Sequence, residues 1–114
     1  MTDLSFNYVR TFRQRYALTE EELARLIGLN SGTSISHIEQ GDRPPTLQSA
    51  LALQVVLAPA PSEMFPGLFM AIRKKVGKEA AVMLERIKGE VGTKAEVRRE
   101  FLETVLTRAS GDLL

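Results

Sequence analysis

Four short polar side chains between positions 33 and 37 are the group in this sequence best suited to specific chemistry. They are Thr33, Ser34, Ser36 and His37. Hydroxyl and imidazole groups both donate and accept hydrogen bonds, so the cluster suits recognition of another polar surface. Thr33 and His37 stand four positions apart and therefore share one face of a helix. We rank this pair first for contact with a ligand; solvated surface residues and helix caps are the alternative interpretation.

The sequence offers little for catalysis or for metal binding. It has no Cys and a single His, which removes thiolate nucleophiles, disulfides and Cys-ligated zinc, and fits a reducing compartment. It carries no Ser-His-Asp set, no phosphate-binding glycine loop and no metal-ligand spacing. We therefore expect a protein that is not an enzyme and that uses no cofactor.

Two short helices joined by a tight turn are predicted to position the polar cluster. The first begins at Thr19, which forms a capping box with Glu22, and ends at Gly28. The second begins within 30–34, ends before Gly41, and directs Ile35 and Ile38 inward. Its polar face is then left free, as in a helix-turn-helix whose second helix enters a DNA major groove.

Helical periodicity extends over nearly the whole chain, which predicts an all-α fold. An initial helix has apolar residues at steps of three or four from Leu4 to Tyr16, and Thr46 caps a fourth helix that ends before Pro59. Beyond the proline-rich 58–62 we expect a second helical section, either continuous or split into two helices at Gly77, and a last helix opened by a Thr93–Glu96 capping box. The predicted domains are a four- to five-helix unit, 1–60, and an extension of two or three helices, 61–114.

Residues 8–57 resemble the lambda-repressor/Cro-like helix-turn-helix domain, also called the XRE family. The resemblance rests on Leu18-Thr19, Leu23-Ala24, Gly28, Ile35-Ser36, Ile38-Glu39, Gly41, Pro45 and Leu51-Ala52-Leu53. It implies a regulator of transcription that binds double-stranded DNA in a sequence-specific manner, with repression from an operator as the expected mode. The alternative is the antitoxin of a toxin–antitoxin pair, since antitoxins often resemble the same fold.

The DNA-binding residues divide into base-reading and phosphate-binding groups. Thr33, Ser34, Ser36 and His37 are the candidates for base contacts, because a recognition helix approaches base edges on its first exposed turn. Phosphate contacts are expected from Arg43, Arg10 and Asn30 and from backbone N–H groups at the start of the second helix, and Ser31 is a further DNA-binding candidate. The resemblance implies that Arg13 pairs with Glu39, and a phosphate is its second possible partner.

Two positions depart from the family pattern. Many members carry Gln near the start of the second helix, where this chain has Glu20, and a carboxylate there repels phosphate unless it turns away. The segment from Gly28 to Ile35 is also one residue longer than in the compact pattern. Gly32 within it either brings the backbone close to a phosphate or relieves the turn.

Charge is distributed in a way that predicts weak DNA binding by one copy. Residues 1–58 contain five Arg and six Asp or Glu, whereas 59–114 contain ten basic and eight acidic residues. Neither part is a basic arm. Two copies on two half-sites would compensate, so we expect a homodimer.

The C-terminal section has apolar residues that must be buried somewhere. They form the predicted dimer or partner interface: Phe65, Phe69, Ile72, Val76, Met83, Ile87, Phe101 and Val105. Packing back onto the first helices is the alternative, and a toxin is the alternative partner. The basic run 73–78 suits a solvated face or flanking phosphates. With no apolar run long enough for a membrane span and no signal-peptide pattern at Met1, we expect a cytoplasmic protein.

Overall fold

The structure is a computed structural model, and it describes residues 6–111. These residues form seven α-helices and no strand: α1 (Val9–Arg15), α2 (Glu20–Ile27), α3 (Gly32–Gln40), α4 (Leu47–Leu57), α5 (Pro61–Met64), α6 (Pro66–Arg86) and α7 (Thr93–Ser110). The predicted all-α class is confirmed, as is the order of a helix-turn-helix unit followed by further helices. None of the helices in the described range is long and apolar enough to cross a membrane.

The chain divides into two compact units between Phe69 and Met70, inside α6. The predicted boundary at residue 60 instead coincides with the start of the short helix α5. This difference has a physical reason, because Met64 and Phe65 are buried in the same core as Leu23 and Ile35 of the N-terminal unit. A proline-rich segment marks a break between helices, but it does not mark the edge of a core.

The N-terminal unit surrounds a core of apolar side chains from five helices. Leu23, Ile35 and Leu53 are fully buried in it, and burying a side chain of this size contributes roughly 1.5–3 kcal/mol. The backbone N–H of Tyr8 donates to the carbonyl of Met64 at 2.9 Å, which fixes the start of α1 against the end of α5. Leu4, which was expected in the first helix, lies outside the described residues.

The helix termini of this unit follow the predicted signals. Thr19 and Glu22 form the capping box of α2, and Gly28 ends that helix with φ 83°. Gly41 ends α3 with φ 79°, a left-handed conformation that glycine adopts without strain. The side chain of Thr46 accepts from the backbone of Ser49 at the start of α4.

The C-terminal unit is a helical hairpin made of α6 from Met70 onward and α7. Its core contains Ala80, Ile87 and Leu102. The structure decides between the two alternatives at Gly77. This residue does not split α6, which continues as one helix of 21 residues. A Cβ at Gly77 would lie 3.1 Å from the Ala109 Cβ, so the glycine permits close packing of α6 against α7.

The prediction for the start of α7 is wrong. Thr93 is the first residue inside the helix rather than its cap, and the capping position is Gly92, whose φ is 114° and which has no side chain to accept a hydrogen bond. The Thr93–Glu96 spacing therefore forms no capping box. A threonine followed three residues later by glutamate predicts a box only when the helix begins one residue after the threonine.

Candidate nucleic-acid interface

Helix α3 is held against α2 by an unusually close backbone approach. A Cβ built on Gly32 would lie 3.0 Å from the backbone nitrogen of Glu21 and 3.2 Å from Glu20 atoms. The backbone N–H of Gly32 also donates to Glu21 Oε2 at 2.6 Å. Gly32 therefore permits the approach of two helices, and the Glu21 carboxylate caps the start of α3 in place of Ser31, whose side chain makes no capping bond.

The two faces of α3 differ sharply in burial. Ile35 is fully buried and Ile38 is 6% exposed, and both belong to the core of the N-terminal unit. On the other side Thr33 is exposed, and the remaining predicted base-reading residues are half-buried: Ser34, Ser36 and His37. The helix therefore presents a short polar surface while its apolar side anchors it.

Two local hydrogen bonds organise that polar surface. Gln40 Nε2 donates to Ser36 Oγ at 3.0 Å, and His37 Nδ1 lies 3.2 Å from Asp42 Oδ2. Both side chains of the His37–Asp42 pair remain open to solvent, at 38% and 55% exposure. Gln40 and Asp42 were not among the predicted site residues, although the four-residue spacing from Ser36 to Gln40 was visible in the sequence.

Arg13 pairs with Glu39, as the family resemblance implied. Arg13 Nε donates to Glu39 Oε2 at 2.6 Å and Nη2 donates to Oε1 at 3.2 Å, while Nη1 donates to the carbonyl of Leu18 at 2.9 Å. Hydrogen bonding to Glu39 raises the pKa of Arg13 against the opposing effect of its burial, and the charge of Glu20 adds to the rise. The guanidinium joins α1, α3 and the segment before α2, so Arg13 is a structural residue.

Asn7 makes a second link between α1 and α3, and sequence reasoning missed it. Its Nδ2 donates to the carbonyl of Ile38 at 3.0 Å, and its Oδ1 accepts from the backbone of Val9 at 3.1 Å. One side chain thus hydrogen-bonds both the first residue of α1 and the last turn of α3. Asn7 and Ile38 are separated by 31 positions, and no short-range pattern reveals such a pair.

The predicted phosphate-binding residues and Ser31 differ in how exposed they are beside the polar face of α3. Arg10, Asn30 and Arg43 are exposed, whereas Ser31 is half-buried. Arg10 lines a groove together with Glu20, Ser36 and Gln40. Since the start of α3 is occupied by the Glu21 carboxylate, cationic attraction to a polyanion depends on exposed arginines rather than on that helix terminus.

The predicted interface residues of the C-terminal section fall into two sets. Phe65 and Ile87 are buried, 7% and 4% exposed, within the cores of their own units, so they are not available to a partner. Ile72, Val76 and Phe101 are 45–57% exposed. The others are half-buried: Phe69, Met83 and Val105. Val97 is 60% exposed and was not predicted.

The exposed members lie on one side of the hairpin. Val76 directly precedes Gly77, which faces α7, and Phe101 directly precedes Leu102, which is in the hairpin core. In a pair of antiparallel helices, the residue directly before an inward-facing residue points to the same side of the pair on each helix. Val76 and Phe101 therefore point to the same side. Adding the residues four positions earlier on each helix defines the hairpin face: Ile72, Val76, Val97 and Phe101.

Comparison with known families and proteins gives one match. Residues 9–58 match the family model described as Helix-turn-helix, a segment that extends from the start of α1 to the end of α4 and contains every predicted DNA-binding residue. No curated protein and no solved structure matched the chain. Among residues 6–111, no three His, Asp or Glu side chains are grouped as metal ligands would be.

Proposed function

We propose, from the premise that residues 9–58 are a helix-turn-helix domain of the XRE type, that this protein is a cytoplasmic repressor that binds an operator as a homodimer. The observation that carries the proposal is the contrast between the buried apolar side and the accessible polar side of α3. Its Ile35 and Ile38 side is anchored in the core, while Thr33 and His37 remain accessible on a helix that Arg13 and Glu39 lock to α1.

The chemistry of this face suits base reading in the major groove. A threonine hydroxyl donates or accepts and its methyl group contacts the thymine methyl, while an imidazole nitrogen contacts a donor or acceptor on a base edge. Arg10 and Arg43 supply phosphate contacts that fix the register of the helix without reading sequence. The site thus has separate groups for the two tasks of a DNA-binding domain.

Electrostatics favour two copies acting together. Residues 1–69 contain five Arg against seven Asp or Glu, a net charge of −2, so a single N-terminal unit has little general attraction for DNA. The hairpin face leaves four large apolar side chains in solvent. A second copy covering this face would form a bundle of four helices and join two recognition helices into one molecule.

Binding assays on the full chain test this proposal. Fluorescence anisotropy compares duplexes from the region upstream of its own gene with scrambled duplexes at several salt concentrations. We expect one upstream duplex to bind more tightly than its scrambled form, with affinity falling as salt rises. Equal affinity for both duplexes, or no dependence on salt, contradicts the proposal.

Variants separate base reading from folding. Thr33→Ala and His37→Ala are each expected to lower the specific affinity by about 5- to 100-fold, the range for loss of a base contact, while leaving binding to scrambled DNA nearly unchanged. Thr93→Ala, an exposed threonine at the start of α7, is the matched control and should bind as the wild type does. Loss of binding in the control and not in the α3 variants would contradict the assignment.

An antitoxin is the second candidate, and the hairpin face is the observation that favours it. The same exposed side chains could be covered by a small partner protein instead of by a second copy. Purification from the native host discriminates the two. A homodimer free of other proteins supports the repressor, whereas a complex with a neighbouring gene's product that is lost in Phe101→Glu supports the antitoxin.

A further inference from the structure

We infer that Asp42 is a positioning residue that fixes the tautomer of His37, so that the ring presents an acceptor nitrogen and selects a base with an amino group in the major groove. This inference rests on the proposed function and deepens it. It names the class of base that one position of the recognition helix reads. It assigns a role to Asp42, a residue of the loop after α3.

The hydrogen bond between the two side chains determines where the ring proton lies. His37 Nδ1 is 3.2 Å from Asp42 Oδ2, and an ionised carboxylate accepts hydrogen bonds but cannot donate them. Nδ1 must therefore carry the hydrogen. In the neutral ring Nε2 then has a lone pair and no hydrogen, so it acts as an acceptor.

The fold holds Asp42 in place for this contact. The backbone N–H of Asp42 donates to the carbonyl of His37 at 3.0 Å, the bond that closes α3 beyond the left-handed Gly41. The backbone bond that ends α3 thus also holds the Asp42 carboxylate near the His37 ring. Replacing the side chain leaves this backbone bond intact, which makes Asp42→Ala a variant with a limited effect on folding.

The other ring nitrogen is the atom left for a ligand. In the described part of the chain Nε2 makes no hydrogen bond, and the side chain is 38% exposed. In the major groove, adenine N6 and cytosine N4 are donors, whereas guanine offers O6 and N7 and thymine offers O4 as acceptors. An acceptor nitrogen therefore pairs with adenine or cytosine and leaves the acceptors of guanine and thymine unsatisfied.

The first test needs no DNA, because the chain contains a single His and its imidazole signals are unambiguous. Nitrogen-15 NMR of the full chain at pH 8 reports which ring nitrogen carries the hydrogen. We expect the Nδ1–H tautomer in the wild type and a shift of the population toward Nε2–H in Asp42→Ala. A wild-type ring that is mainly Nε2–H overturns the inference and leaves the proposed function intact.

The second test measures base preference at pH 8 with a randomised duplex library. The position read by His37 is the one whose preference is lost in His37→Ala. There the wild type should favour adenine or cytosine, and Asp42→Ala should reduce that preference by about 5-fold or more, since the ring can then donate to guanine. In the His37→Ala background, Asp42→Ala should change nothing further.

The outcomes separate the two claims. Enrichment of a specific site with guanine or thymine at the His37 position, or an unchanged preference in Asp42→Ala, overturns the role of Asp42 while DNA binding stands. A His37→Ala protein that keeps every base preference overturns the assignment of His37 as a base reader. Recovery of no enriched sequence by the wild type overturns the proposed function together with the inference.

Discussion

Arg13 of α1 and Glu39 of α3 are joined by two hydrogen bonds, 2.6 Å from Nε to Oε2 and 3.2 Å from Nη2 to Oε1. Their side chains are 12% and 5% exposed, so the pair is largely removed from solvent. Such a bidentate contact restrains both distance and orientation. Helix α3 is therefore fixed relative to α1 by an ion pair at the border of the polar face.

Removing one member of this pair should destabilise the N-terminal unit. Arg13→Ala leaves the Glu39 carboxylate buried without its partner, for which we expect a loss of about 3–5 kcal/mol in the free energy of unfolding. Urea unfolding followed by tyrosine fluorescence measures it, because Tyr8 and Tyr16 are the two tyrosines of the chain and the chain has no Trp. Arg25→Ala, an exposed arginine of α2, should cost roughly 0.5 kcal/mol or less. Equal losses in the two variants would contradict a special role for the pair.

The capping box of α2 should make stability depend on pH. The backbone N–H of Thr19 donates to Glu22 Oε1 at 2.9 Å, and this bond lowers the pKa of Glu22 below its ordinary value of 4.5. A carboxyl group whose pKa is lower in the folded state stabilises that state above the unfolded pKa. The contribution disappears as the pH falls through the folded pKa.

Comparison of wild type with Glu22→Gln isolates this effect. We expect the wild type to be the more stable protein at neutral pH, with the full difference present above pH 4.5 and shrinking at lower pH as Glu22 becomes protonated. Urea titrations at a series of pH values, again read by tyrosine fluorescence, measure the difference. A stability difference between the two proteins that grows on acidification would contradict the predicted direction of the pH dependence.

Gly32 should tolerate no side chain. In Gly32→Ala the new Cβ would meet the backbone nitrogen of Glu21 at 3.0 Å, so α3 must shift away from α2. We expect a destabilisation of about 1–3 kcal/mol and a loss of specific DNA binding. Gly77→Ala is the matched control, because Gly77 and Ala109, whose side chain the new Cβ would meet, both belong to the C-terminal unit. Gly77→Ala should leave the midpoint of the tyrosine-detected unfolding transition unchanged. If both substitutions shift that midpoint equally, the effect of Gly32→Ala is not local to the contact of α3 with α2.

A charge on the hairpin face should dissociate the proposed homodimer. Val76→Glu places a carboxylate where a second copy would bury it, and we expect dimerisation to weaken by about tenfold or more in sedimentation equilibrium. Val82→Glu is the control, since Val82 is exposed to a similar degree, 43% against 45%, but lies about 120° around α6. A protein that is monomeric before substitution, or two variants with the same effect, would refute this interface.

Short-range signals allowed much of the fold to be predicted from the sequence. The Thr19–Glu22 box and the terminal Gly28 and Gly41 each depend on neighbours within a few positions, and the structure confirms them. The Arg13–Glu39 pair was predicted only through the family resemblance, because helical periodicity gives no information about contacts between residues 26 positions apart. The polar face of α3 followed from the inward placement of Ile35 and Ile38.

Long-range packing accounts for what the sequence did not reveal. Periodicity leaves open whether Gly77 breaks the helix, whereas the structure places it inside α6, where the neighbouring α7 comes too close for a larger side chain without a shift. The bond from Glu21 to Gly32 depends on how two helices cross. Phe65 and Ile87 fit an apolar stripe equally well whether they face a partner or their own core, and the fold selects the core.

The hydrogen bond from the Tyr8 N–H to the Met64 carbonyl ties residues beyond the family match to the N-terminal unit. This matters when the DNA-binding part is expressed alone. Met64 and Phe65 are 1% and 7% exposed in the core shared with the helix-turn-helix, yet they lie past residue 58, where the family match ends. A fragment trimmed to that match would lose these two interior side chains and leave a cavity in the core that they share with Leu57. Extending the excised piece through Phe69 keeps the whole folding unit together.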